Sequence, residues 1–196
     1  MSHRVLDDWL KAVLETPGLT ALRDPSEARK MLLEDSLRGV EVAASVEGPI
    51  VDVGSGGGAP GIPLAAALSD REVTLLEAER RKADFLRRWE AELPNLRVVW
   101  GRAEEQETDQ FGVAVAKALA QPPVAAEWCL PLVRPGGAAV LWVGPSAELA
   151  RVARVAEQLG AAPPEERDGL VVIRKLKPTP PGFPRRPGLA RKRPLA

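Results

Sequence analysis

The chain has 196 residues, 45% of them hydrophobic and 28% charged, which fits one globular domain whose core needs no covalent staples. That composition excludes a wholly disordered chain, a collagen and a coiled coil. The single cysteine, Cys129, excludes a disulfide framework and a Cys-rich zinc site; the single histidine, His3, excludes a His-ligated metal centre or a Ser-His-Asp triad in the body of the fold. No bound metal is expected. Asp7 and Asp8 break the early apolar stretch, so no secretory leader is expected, and there is no run of about 18 apolar residues to span a membrane. The expectation is a reduced, cytoplasmic protein without a membrane partner. The zero net charge hides an asymmetry. Residues 174–196 carry eight Lys and Arg and no acid, which leaves 19 basic against 27 acidic residues elsewhere.

Taken in chain order, Val5, Leu6, Trp9, Leu10, Val13 and Leu14 recur at helical spacing, and Thr16-Pro17-Gly18 ends that helix. Asp24-Pro25-Ser26-Glu27 supplies an N-cap, a first-turn proline and a capping-box partner for a second helix to about Leu37. Strands are predicted at 50–53, 73–76, 96–100, 113–116 and 138–142, each an apolar run. Helices are predicted at 61–68, 80–93, 123–133 and 147–159. Asp168-Gly169 predicts a hairpin turn into a last strand, 170–176. Alternating strands and helices imply an α/β fold of Rossmann-like type: a mostly parallel sheet with helices on both faces and a C-terminal antiparallel hairpin. The division is a helical segment at 1–45, a cofactor-binding domain at 46–176 and a tail at 177–196, in one domain overall. Six prolines between Pro178 and Pro194 predict that the tail is extended, with no regular element.

Asp52-Val53-Gly54-Ser55-Gly56-Gly57-Gly58 follows a strand and precedes a helix. Glycines there let a ligand approach the backbone at the carboxyl ends of the strands. Asp52 before the first glycine, and Pro60 and Pro63 where a pyrophosphate would need free amides, favour S-adenosylmethionine over a dinucleotide. Glu77, 23 residues after Gly54, stands where a carboxylate accepts ribose hydroxyls, a role shared by both ligand classes. Trp9, Trp89, Trp128 and Trp142 read as core. Trp100, ending a strand near the expected cofactor, is the one Trp considered for a site, with core packing preferred even there.

The segment Val51-Asp52-Val53-Gly54-Ser55-Gly56-Gly57-Gly58-Ala59-Pro60-Gly61-Ile62-Pro63-Leu64 resembles the first motif of the RsmG (GidB) family, methyltransferases of 16S ribosomal RNA. Asp35-Ser36-Leu37, the Lys82, Phe85 and Leu86 that follow Glu77, Gly101-Arg102-Ala103-Glu104-Glu105, Trp128-Cys129-Leu130-Pro131-Leu132-Val133-Arg134-Pro135-Gly136-Gly137 and the tail's Pro184-Arg185-Arg186-Pro187-Gly188 and Lys192-Arg193-Pro194-Leu195 resemble further family segments, in order. The resemblance implies methyl transfer from S-adenosylmethionine to a guanine N7. It implies a cofactor site of Asp52, Gly54, Ser55, Gly56, Ala59, Glu77, Ala103, Glu104 and Lys117, with Lys117 positioning charge. Arg185, Arg186, Lys192 and Arg193 would hold RNA, and the partner would be 16S rRNA or the small ribosomal subunit, met by a monomer. Phe183 would stack on a base, and removal of the tail after Lys177 would spare cofactor affinity. Lys117, Gly112, Leu32 and Leu189-Ala190 depart from the family's usual Arg, Asp, His and Thr-Pro. The alternatives are a binding homologue without turnover, owing to Lys117 and the other departures, and an NAD-dependent oxidoreductase.

A guanine N7 has a free lone pair and no proton to remove, so the transfer needs placement and charge, not a general base. Cytosine C5 transfer would need a thiolate, and Cys129 falls on a helix away from the strand ends. Gln121-Pro122-Pro123-Val124 only faintly echoes an adenine N6 motif and reads as a helix start.

Overall fold

A computed structural model describes residues 2–144 and 148–196. Helix α1 (Ser2–Glu15) places Val5, Leu6, Trp9, Leu10 and Val13 on one buried face, as their spacing predicts. Asp24 caps α2 (Pro25–Ala28) by accepting the Glu27 amide at 2.8 Å. The chain continues through a π-helical stretch (Arg29–Glu34) into α3 (Asp35–Leu37), then α4 (Val40–Ala44), which periodicity did not reveal.

The α/β core follows as β1 (Ile50–Val53), α5 (Gly61–Ala67), β2 (Val73–Glu77), α6 (Arg80–Leu86), β3 (Leu96–Trp100), β4 (Phe111–Lys117), α7 (Pro122–Cys129), β5 (Val133–Trp142), α8 (Leu149–Gln158), β6 (Glu165–Arg167) and β7 (Leu170–Arg174). The sheet order is β3-β2-β1-β4-β5-β7-β6. Five strands are parallel, and β7 and β6 close one edge as an antiparallel hairpin, which is the expected class. Buried β1 reads as an unbroken apolar run except for Asp52, as a strand covered on both faces should. The predicted strands are all present, but β5 begins at Val133, inside the helix expected at 123–133 and well before its predicted start at 138, and β7 ends at Arg174 short of 176. The helix expected to run to Leu93 ends at Leu86 and tightens through Arg87–Trp89. Residue 147, expected to start the last long helix, lies outside the described residues. Among the described residues no helix is long and apolar enough to cross a membrane.

The tail corrects the expectation of a chain without regular structure. It folds back against α7 and forms α9 (Leu189–Lys192), whose Ala190 is buried. Lys175 pins its root: the ammonium, fully buried, donates to Leu130 O at 2.7 Å and to Thr179 Oγ1 at 2.8 Å, 3.6 Å from Asp109. Burial lowers the Lys175 pKa, and Asp109 opposes that fall. Phe183, expected to stack on a base, packs instead against the apolar layer under α7 and α8.

Gly112 has a steric cause. A Cβ there would overlap the Glu47 carbonyl, beside the Gly48 backbone, while the Gly112 amide donates to Pro49 O at 2.9 Å. Backbone at that spot cannot retreat without breaking the β1–β4 pairing. Gly112→Ala should therefore destabilise the fold by about 2–3 kcal/mol, read by urea denaturation; an unchanged midpoint would show that the strand yields freely.

Candidate functional site

The loop between β1 and α5 is held from four sides. Gly54, Gly56 and Gly58 adopt positive φ, and a Cβ on Gly54 would run into Leu119. Ser55 Oγ donates to Asp52 O at 2.9 Å, closing the first turn. Trp9 Nε1 donates to Gly57 O at 2.8 Å, so a tryptophan read as core also fastens the loop from α1. Glu77, at the end of β2, accepts the Gly56 amide on Oε2 at 2.8 Å and the Glu79 amide on Oε1 at 2.7 Å. Its carboxylate is thereby oriented at the edge of the cavity before any ligand arrives.

That cavity, about 520 Å³, opens beyond the carboxyl ends of β1, β2 and β4. Gly54, Ser55, Gly56, Ala59, Glu77, Ala103, Glu104 and Lys117 all border it. Asp52 does not: it lies beneath the loop, 1% exposed, accepting the Gly61 amide on Oδ2 at 3.0 Å. Desolvation pushes its pKa up to about 7, against the Gly61 hydrogen bond. The placement of Asp52 is a correction to the ligand set, and its work is to tie β1 to the first turn of α5.

Lys117 borders the cavity but its charge is engaged. Its ammonium lies 2.6 Å from Asp35 Oδ2 and donates to Met31 O. Partial burial would raise the Asp35 pKa, but Lys117 and Arg38 outweigh it and hold that carboxyl below its usual value. The Asp-Ser-Leu segment is thus clamped to the end of β4. Trp142 Nε1 donates to Asp35 O at 2.8 Å and secures the same segment to β5.

The tail supplies wall that sequence reasoning missed. Gly188 and Arg191 border the cavity together with Trp128 and Leu119. The Gly188 amide donates to Glu104 Oε1 at 3.0 Å, and the Arg191 guanidinium lies 5.2 Å from the Trp128 ring centroid. Arg185 bonds Glu127 through Nε and Nη2 at 2.6 and 2.7 Å, beside α7. Its guanidinium is occupied within the protein, whereas Arg186, Lys192 and Arg193 are exposed. Nothing local distinguishes Arg185 or Arg191 from the other tail cations, because their partners lie far off in sequence. Trp100 is neither core nor cavity wall: it is 51% exposed. Cys129 is buried, and desolvation with nearby Asp52 pushes its thiol up, so it supplies no thiolate.

The mostly parallel sheet, the glycine loop after its first strand and the carboxylate ending its second define the fold of S-adenosylmethionine-dependent methyltransferases. Solved structures share it. An S-adenosylmethionine-dependent O-methyltransferase from Thermotoga maritima matches with a TM-score of 0.58 at 15% identity, covering 75% of this chain and 66% of that one. Geranyl diphosphate methyltransferase in complex with S-adenosylmethionine matches at 0.57 and 15%, covering 80% and 76%. At such identities the likeness is one of fold. The chain belongs to the GidB family, rRNA small subunit methyltransferase G, matched over residues 5–159. Relatives named ribosomal RNA small subunit methyltransferase G include one from Moorella thermoacetica, 36% identical over 91% of this chain and 82% of its own length. Another, from Chloroflexus aggregans, is 37% identical with the same coverage.

The buried Asp52 carboxyl makes stability depend on pH. Its folded pKa, about 7, exceeds an unfolded value of about 3.9, so the folded state binds the extra proton. Its contribution is most favourable below pH ~4 and is lost as pH rises through about 7. Asp52→Asn keeps an acceptor for Gly61 and should gain on the wild type from pH 5 to pH 8 in urea melts. Parallel stability curves for the two proteins would refute this account.

Proposed function

We propose that this protein transfers a methyl group from S-adenosylmethionine to the N7 of a guanine in 16S ribosomal RNA. The observation that carries the reading is the convergence of the glycine loop, Glu77, Ala103 and Lys117 on one cavity, in a chain of the rRNA small subunit methyltransferase G family. The residues fit the cofactor. The cavity has the size of a small-ligand site, Glu77 presents an oriented carboxylate for the ribose, and the loop keeps side chains away at Gly54. When bound, S-adenosylmethionine supplies an electrophilic methyl on a sulfonium. The attacking N7 carries its own lone pair, so the protein need only align the two and exclude water.

Glu77 holds the ribose, and the Ala103–Glu104 turn flanks the adenine. Arg191 and Gly188 close over that end of the cavity from the tail. Lys117 acts through position, fixing the Asp35 segment behind Leu32, which borders the cavity. Arg186, Lys192 and Arg193 are the tail cations left for RNA phosphates, and Arg185 is assigned to the internal contact with Glu127.

Labelled S-adenosylmethionine incubated with small subunits lacking native methylation should place label on one guanine N7, located by nucleotide mapping. Cofactor binding without transfer would refute turnover and favour a binding homologue.

The tail's position reverses the expectation for its removal. Ending the chain after Lys177 strips Gly188 and Arg191 from the wall. Cofactor affinity should fall by about tenfold or more, and Arg191→Ala should reproduce part of the loss in calorimetric titration. Equal affinity for all three proteins would leave the tail no part in the cofactor site.

A further inference from the structure

Trp100 is the most exposed aromatic position of the fold's cofactor end, and nothing assigned so far uses it. It ends β3, the outermost strand of the parallel edge, in register with Glu77. Its ring is fixed: Nε1 donates to Ala78 O at 3.1 Å, and the Arg80 guanidinium lies 5.2 Å from the ring centroid. Half of the residue stays open to solvent, beside a 36% exposed Val99. A large apolar group on an open sheet edge is a liability unless it has a partner.

The surroundings indicate the partner's charge. Arg80, Arg87, Arg88, Arg97 and Arg102 are all exposed around the ring's strand and the neighbouring α6. Arg87 is paired with Asp84, and Arg97 donates to the Pro94 and Leu96 carbonyls at 3.0 and 2.7 Å. The others are less engaged: Arg80 approaches Asp84 at only 3.9 Å, and Arg88 lies over Phe85 with its ring centroid 5.5 Å away. The patch also meets the cofactor cavity, since Ala78, which holds the indole, and Arg102 both border it. Exposed Glu79, Asp84 and Glu105 lie among them, so the cations left to attract a polyanion at this rim are Arg80, Arg88 and Arg102.

We propose that Trp100 and the arginines around it form a docking platform for a single-stranded stretch of the substrate RNA. One base stacks on the indole, and Arg80, Arg88 and Arg102 contact its backbone. This rests on the assignment of RNA as substrate. It adds a surface outside the tail and places the RNA across the adenosine-side rim of the cavity. Stacking on a fixed aromatic is indifferent to base identity, so the platform would contribute affinity and alignment, and the choice of guanine would lie elsewhere.

The test uses the full chain and a 16S rRNA transcript, with RNA affinity, methyl-transfer kinetics and sedimentation measured for Trp100→Ala, Trp100→Phe and Arg80→Ala/Arg88→Ala. Trp100→Ala should weaken RNA binding by about tenfold, with the loss in KM for RNA and cofactor affinity unchanged. Trp100→Phe should recover most of it, and the arginine pair should lower the slope of affinity against salt. RNA affinity within twofold of wild type for Trp100→Ala would overturn the platform. So would a self-associating wild type that Trp100→Ala turns into a monomer, which would make the edge a contact between copies. If the wild type itself binds cofactor but no RNA, the substrate assignment fails first, a result distinct from a failure confined to the Trp100 variants.

Discussion

One buried hydrogen bond organises the cofactor end of this molecule. Asp52 lies in β1, the middle of the five parallel strands, among residues packed on both faces, and its carboxyl reaches forward to the amide of Gly61 at 3.0 Å. The eight residues between them must therefore arch outward as a closed loop. Gly61 is part of the same constraint, because a Cβ there would strike Leu75 and the Asp52 side chain. Burying a carboxyl is costly, and the raised Asp52 pKa expresses that cost. In return the loop is fixed from below, while Glu77 and Trp9 fix it from the side. A loop held this way loses little entropy when it receives a ligand.

The remaining wall of the cavity is built by the two ends of the chain. Trp9, Val13 and Leu19 come from the N-terminal region, Gly188 and Arg191 from the tail. Each end is locked to the α/β body by a charge. Lys117 grips Asp35 in front of β4, and Arg185 grips Glu127 on α7. Neither bridge is of the open surface kind that contributes little, since three of the four side chains are less than 20% exposed. The lysine in place of the family's usual arginine suits this geometry. Its compact ammonium meets a carboxylate and a single main-chain carbonyl, a point-charge arrangement that needs no planar fork.

Much of this was legible in the sequence because it is local. The strands read as apolar runs because both faces of the parallel sheet are covered, and the glycine loop reads because backbone at positive φ selects for glycine. Glu77 follows from the length of one strand-loop-helix-strand unit. The illegible parts depend on distant partners. Prolines in the tail correctly forbade a long helix, yet they said nothing about docking, which rests on Lys175–Thr179–Asp109, Arg185–Glu127 and Gly188–Glu104. A basic run looks the same whether its charges meet phosphate or a carboxylate of the same chain. Trp100 failed in the opposite sense: an apolar strand end was read as core, while the topology made β3 an edge and left it open.

The distribution of cations bears on how an acidic body can hold a polyanion at all. Lys175 is buried, Arg185 is paired, and Arg191 is laid over Trp128, so part of the tail's formal charge is consumed in folding. On the proposed reading, the charge that remains for RNA is divided between the outer tail and the arginines around Trp100, which meet at the adenosine-side rim of one cavity, where the Gly188 amide bonds Glu104. Two weak anchors joined by a rigid body bind together far more tightly than either alone, provided the ligand can span them. A folded RNA that reaches both clusters meets that condition, and a random polyanion meets it only at the expense of its own chain entropy. Selection of substrate can thus reside in the spacing of two charge clusters along that rim.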